Sequence, residues 1–236
     1  MGMTIMKRRS VLRALGSGSG IGVFGSTTVV GRNNSGSNPV IRGRIQRPDN
    51  RPQTEHVVFL DIKPDGGQNR YYEIIELGPS GRFEHALTEP SQVRIVYWGL
   101  SGKSITERDG IPDLYYIKDV SVGPRPLNVG NLQLPEGHVL NVKVENKAGD
   151  PVEGAGVRVA TCLAAECESW YGSGRHETNE DGMFVFGGAD KPGIEVSGPV
   201  YTNVYHPDGE WEWRTHLDSA ELYVDEPTEH VFEIEL

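Results

Sequence analysis

The stretch Glu145 to Cys162, ENKAGDPVEGAGVRVATC, decides how the rest of the chain is read. Alternating runs stand on both sides of it: LNVKVEN ends at Asn146 and GVRVAT begins at Gly156. Period-two alternation of this kind marks half-buried β-strands. The patch between them is turn chemistry. Gly149 supplies backbone freedom, and Pro151 cannot donate to a ladder and so belongs at a strand boundary. Gly154, Ala155 and Gly156 are small enough to let chains pass closely. Nothing in the patch requires a ligand.

Other runs of the same kind are VIRGRI (40–45), VVFLDI (57–62), MFVF (183–186) and VFEIEL (231–236). Leu140, Val142 and Val144 are expected to share one inward face, as are Phe232, Ile234 and Leu236. Between the runs sit turn formers such as Pro48-Asp49-Asn50, Pro64-Asp65-Gly66-Gly67, Pro79-Ser80-Gly81, Glu180-Asp181-Gly182 and Pro207-Asp208-Gly209. No long helical period occurs after residue 35. With 30 Gly and 15 Pro among 236 residues, the composition fits a turn-rich all-β protein.

The patch also exposes a duplication. Val40 laid on Val139 puts Ile41 on Leu140, Ile45 on Val144, Pro52 on Pro151 and Val58 on Val157. After a two-residue insertion, Gly81 falls on Gly182, Phe83 on Phe184, Val93 on Ile194 and Ile95 on Val196. Two similar sandwiches are therefore expected, over 36–134 and 135–236, each of ordinary single-domain size.

Residues 1–35 are read as an export signal and linker, cleaved or disordered, and are set aside from the fold. Lys7-Arg8-Arg9-Ser10-Val11-Leu12-Arg13 resembles a twin-arginine export signal, with Arg8 and Arg9 as its pair. The segment behind it is too polar and glycine-broken for a stable membrane span. The implied location is extracellular or at the cell surface. In that compartment Cys162 and Cys167, flanking Leu-Ala-Ala-Glu, either bridge a hairpin mouth as a disulfide or stay as two thiols.

The formal charge is −10, and the first 32 residues hold five bases and no acid. The body therefore carries 18 bases against 33 acids. A surface of that sign repels phosphate backbones, which speaks against nucleic-acid binding.

Residues 148–157 and 178–184 follow the pattern G-x-P-V-x-G-A-x-V and then T-x-x-D-G-x-F. They resemble the carboxypeptidase regulatory-like domain over 135–198, and more weakly over 36–134. The resemblance implies an Ig/transthyretin-like β-sandwich of about seven strands, here in two tandem copies.

No zinc-binding His pair, nucleophile elbow or phosphate loop is present, so no catalytic residue, metal ligand or cofactor is assigned. Carboxylates at turns, such as Asp49, Asp65, Glu180 and Asp181, do not by themselves make a calcium site. In adhesin sandwiches of similar shape a Lys in the first strand bonds to an Asn in the last. Lys143 could take the first part, but residues 229–236 hold no Asn. Trp211 and Trp213 would share one strand face near Tyr201 and Tyr205, with Val204 paired near Trp213 across a tight hairpin at 207–209. Those rings could hold sugars or could simply be core. Three functional readings follow: a non-catalytic exported interaction or structural protein, a carbohydrate-binding module using the aromatics of 201–213, and a small hydrolase or its accessory. Partners of the first two would be another surface protein or a polysaccharide.

Overall fold

The computed structural model describes residues 38–54, 56–67, 69–99, 109–161, 173, 176–188, 192–208 and 215–236. All belong to one compact unit that starts at Ser37. Seven strands come first: β1 (Val40–Gln46), β2 (Val57–Pro64), β3 (Tyr71–Glu76), β4 (Arg82–Ala86), β5 (Ser91–Trp98), β6 (Leu114–Val122) and β7 (Leu127–Gln133). Seven more follow: β8 (His138–Asn146), β9 (Gly156–Ala160), β10 (His176–Glu177), β11 (Ile194–Val196), β12 (Gly198–Tyr205), β13 (His216–Val224) and β14 (Thr228–Ile234).

They form two tandem β-sandwiches. The first packs the sheet β4-β1-β7 on β3-β2-β5-β6, and the second packs β11-β8-β14 on β10-β9-β12-β13. The two orders are the same order written seven strands later. In each, the first strand pairs in parallel with the last, β1 with β7 and β8 with β14. Each sandwich has its own core. Ile41, Ile45, Val58, Leu60, Ile62, Phe83 and Ile95 cluster in one; Leu140, Val142, Val144, Val157, Val159, Phe184 and Phe232 cluster in the other.

The duplication reaches individual hydrogen bonds. Ile45 N–H donates to Gly81 O at 2.8 Å, and Val144 N–H to Gly182 O at 2.9 Å. Gln53 N–H donates to Ile45 O, and Val152 N–H to Val144 O. Arg47 bonds Arg51 O across one turn, as Asn146 bonds Asp150 O across the other. The left-handed position of that turn is Asn50 (φ 66°) in the first copy and Gly149 (φ 86°) in the second. Gly81 and Gly182 also have positive φ, and a Cβ on either would sit 2.5 Å from a main-chain oxygen, that of Ile45 or Val144. Backbone packing at this corner therefore requires glycine in both copies.

Three expectations need correction. The strand expected over 183–186 exists only as isolated bridges, Lys143↔Met183, Thr178↔Phe184 and Val185↔Gly193, after which the chain turns through Gly187 (φ 66°). The strand's other half resumes eight residues later as β11 against β8. That excursion overturns the superposition of Val93 and Ile95 on Ile194 and Val196. The strand pairing sets Val58↔Tyr97 and Leu60↔Ile95 against Val157↔Val204 and Val159↔Thr202, so Ile95 corresponds to Thr202. Both candidate strands alternate, and alternation alone cannot say which one sits beside β9. Finally, Leu236 is 61% exposed rather than core, because β14 ends at Ile234.

The sandwiches meet through main chain and buried acids. Asp113 N–H donates to Glu195 O at 2.6 Å, and Glu195 N–H returns a bond to Asp113 Oδ2 at 2.8 Å. Glu195 Oε1 accepts from Gly110 N–H at 3.1 Å. Both side chains are buried, and their hydrogen bonds offset the cost of holding polar groups there.

Candidate functional site

Arg8, Arg9, Cys162, Cys167, Trp211 and Trp213 lie outside the described residues. Of the expected site, Tyr201 and Tyr205 are described. Both project from β12 on the face away from the core, since the alternate residues Val200, Thr202 and Val204 are buried within it. Tyr201 is half-buried, and Tyr205 is buried with its ring 5.5 Å from that of His216, edge to face. Their neighbours on this outer face are Arg158, Asn203, Ser219 and Glu221.

The tight hairpin does not form. Val204 pairs with Asp218, and Tyr205 with His216, after a register shift. His206 N–H donates to Thr215 O, so residues 207–214 lie between the paired positions. The Pro207-Asp208 signal does not set the register, which follows from where Leu217, Ala220 and Leu222 of β13 reach the core. Val204 is therefore not paired with Trp213.

A second outer face, which the sequence reading did not single out, carries more apolar surface. On β3-β2-β5-β6, Phe59, Val96 and Leu114 form a buried cluster separate from the core, with Trp98 and Tyr116 packed against it. Tyr72 stacks on Phe59, with centroids 5.3 Å apart and planes 19° apart, and Trp98 meets Phe59 edge-on at 6.2 Å. Tyr72 and Ile74 remain 47% and 42% exposed. The signal was present in VVFLDI, where Val57 to Ile62 are buried at every position rather than at alternate ones. Apolar residues at successive positions, Val57 to Leu60, mean a strand covered on both faces, with Asp61 the one acid among them.

Charges border the rings. Arg94 bonds Asp119 through Nε at 2.8 Å and Nη2 at 3.2 Å, and lies 5.7 Å from the centre of the Tyr116 ring. The Asp119 bond pushes the Arg94 guanidinium upward in pKa, and burial does the same to the Tyr116 phenol. Asp61, buried in the same face, pairs with Arg70 at 3.4 Å. Rings flanked by matched ion pairs can hold a partner by contact and directed hydrogen bonds. The arrangement brings no nucleophile up to a base.

The remaining polar candidates serve the framework. His176 has its Nε2 2.7 Å from Ser173 O and its ring edge-on to Phe184 and Phe186; burial lowers its pKa. Lys143 pairs with Glu145 at 2.6 Å and stands opposite Val231 of β14. Asp49 accepts from Arg51 N–H and Nε, which lowers its pKa at the turn. Among the described residues, no group of three or more His, Cys, Asp or Glu could hold a metal ion. Among them, too, no helix is long and apolar enough to cross a membrane.

No family model matches the sequence, and no curated protein matches it. Solved structures do. The Bacillus anthracis TIE protein is 9% identical, with a TM-score of 0.30, over 84% of this chain and 34% of its own. A streptococcal ancillary pilin is 12% identical, with a TM-score of 0.30, over 85% and 63%. The minor pilin of Streptococcus agalactiae is 9% identical, with a TM-score of 0.31, over 83% and 95%. This chain thus spans about a third of the first and less than two thirds of the second. TM-scores at this level assign neither a shared arrangement nor a function.

Proposed function

We propose that this is an exported, non-catalytic interaction protein of the cell surface. On this reading two regulatory-like sandwiches stand behind a twin-arginine signal carrying Arg8 and Arg9, divided near residues 134 and 135. The observation that carries it is the outer face of β3-β2-β5-β6. Its side chains are rings and matched ion pairs, with Tyr72 and Ile74 open to solvent. A face of that make-up binds and does not react. In the test, labelled protein is bound to the surface of producing cells. Tyr72→Ala with Trp98→Ala should remove retention while the fold, read by circular dichroism, is kept. Retention unchanged by the double variant, or turnover of an ester, phosphate or glycoside substrate, sinks the reading. Export is tested separately: Arg8→Lys with Arg9→Lys should hold the protein in the cytoplasm.

The second reading, a carbohydrate-binding module built on Trp211, Trp213, Tyr201 and Tyr205, is favoured by the outward direction of Tyr201 on β12. Trp211→Ala with Trp213→Ala should then abolish pull-down on insoluble polysaccharide without unfolding the protein. The disulfide between Cys162 and Cys167 belongs to the same proposal and is checked by thiol counting under denaturing, non-reducing conditions.

A further inference from the structure

We propose that β3 is the edge through which two copies of this chain pair, antiparallel and centred on Ile74. The inference rests on the reading of the protein as an interaction module and names one partner for it. Among the described strands β3 pairs only with β2, in an unshifted register from Val57↔Glu76 to Ile62↔Tyr71. A sheet edge offers a row of unpaired main-chain donors and acceptors, and proteins ordinarily guard it. The other edges here are guarded. Strands β10 and β11 are two and three residues long, and β4 is five. Strand β7 has a register shift against β1 and a positive φ at Gly130. Strands β6 and β13 are shifted against their neighbours, and β14 turns Glu229 and Glu233 to solvent.

Strand β3 is in unshifted register, and its exposed face, Tyr72-Ile74-Glu76, holds one acid where that of β14, Glu229-Val231-Glu233, holds two. The β3 sequence, YYEIIE, holds no Pro, Lys or Arg. It carries Tyr72 and Ile74 side by side on one face, whereas the other exposed large apolar residues among those described, Tyr223, Val231 and Leu236, occur singly. Charge excludes one register, and contact between the exposed apolar side chains points to another. A two-fold antiparallel pair sets residues of the same face opposite each other. Centred on Glu73, it would put that acid against its own copy, which destabilises a cross-strand pair. Centred on Ile74, it puts Ile74 on Ile74, Tyr72 opposite Glu76, and Glu73 opposite Ile75, so no acid faces an acid. Two four-stranded sheets then join into one, and the ring-bearing faces become continuous. The net charge of −10 opposes this approach at long range, so salt should strengthen the pairing.

The experiment is light scattering across protein concentration at low and high salt, on the full chain. The mass should rise from 26.0 kDa toward twice that value, more readily in high salt. Ile74→Lys, which sets two cations on the two-fold axis, should restore the monomer with an unchanged circular dichroism spectrum. Tyr223→Lys, at a position of the second sandwich that is 69% exposed, should leave the dimer intact. As a readout independent of any variant, amide exchange along 71–76 should slow with concentration. A mass of 26.0 kDa throughout, or a dimer that survives Ile74→Lys, overturns the proposal. A monomer that still binds cells through the outer face would leave the proposed function standing.

Discussion

Phe59 on β2 lies opposite Val96, and at the corresponding place on β9 Arg158 lies opposite Asn203. Asp61 and Arg94 give way in the same manner to Ala160 and Tyr201, and Val57 and Trp98 to Gly156 and Tyr205. One outer face gathers Phe59, Val96, Val57 and Trp98 beside the Asp61 and Arg94 pair; its counterpart sets Arg158 and Asn203 among two tyrosines and the small Gly156 and Ala160. The inner faces differ less, with Thr202 in the place of Ile95 as the polar exception. Val58, Leu60 and Tyr97 become Val157, Val159 and Val204, and the glycine corner is kept bond for bond. The contrast separates two kinds of constraint. Inward positions and the corner must satisfy packing and main-chain hydrogen bonds, so their chemistry is held. Outward positions answer only to what meets them from outside.

Four measurements press on that contrast, beginning with the largest effect. Phe184→Ala and Phe83→Ala each empty a core of one sandwich and should each cost about 3–5 kcal/mol, read by denaturant unfolding. Because the cores are separate, each variant should lower the unfolding of its own sandwich first. Equal loss across both would mean that the two copies unfold as one. Next, Gly81→Ala and Gly182→Ala should each cost about 2–3 kcal/mol, since both force a Cβ into a left-handed position against a carbonyl oxygen. If only one proves costly, the corners are not equivalent.

Thr202 sharpens the inner-face comparison. It stands where the first sandwich has Ile95, fully buried, and among the described residues its hydroxyl has no hydrogen-bond partner. Thr202→Val should therefore stabilise the second sandwich by about 1 kcal/mol, while Ile95→Thr should destabilise the first. The smallest effect is expected from pH. His176 is held neutral by burial, so its folded pKa lies below the ordinary 6.5. The unfolded chain takes up this proton first as pH falls. Stability is thus complete above about pH 6.5 and declines below it until the folded-state pKa is passed. His176→Gln should flatten that decline in the second sandwich and leave the first unchanged, as followed by melting temperature against pH.

Much of the fold was legible before any coordinates. The turn at Ala148 to Gly156, the glycines at 81 and 182, and the inward triplets of β1 and β8 carry their meaning locally. A proline, a left-handed position or a two-residue period is recognisable without knowing what lies across from it. The partner of a strand is not. The excursion through Gly187 shifted the second copy's alignment because two alternating segments, 194–196 and 198–205, competed for one role. Tyr201 and Tyr205 stand on the outer face of β12, but Val204 pairs with Asp218 rather than near Trp213, because no local signal sets the register of β13. The richer face, with Phe59, Tyr72, Trp98 and Tyr116, was hidden in a run taken as alternating, although its apolar residues filled both faces.

By itself, then, the chain order of turns and apolar periods determined an all-β protein of two repeated sandwiches, since each of those signals rests on backbone sterics and burial within a few residues. Only the tertiary structure decided which sheet face gathers Phe59, Trp98 and Tyr116 and how Asp113 and Glu195 tie the copies together. Those features join residues far apart in the chain, and their geometry exists only once the strands have chosen their neighbours.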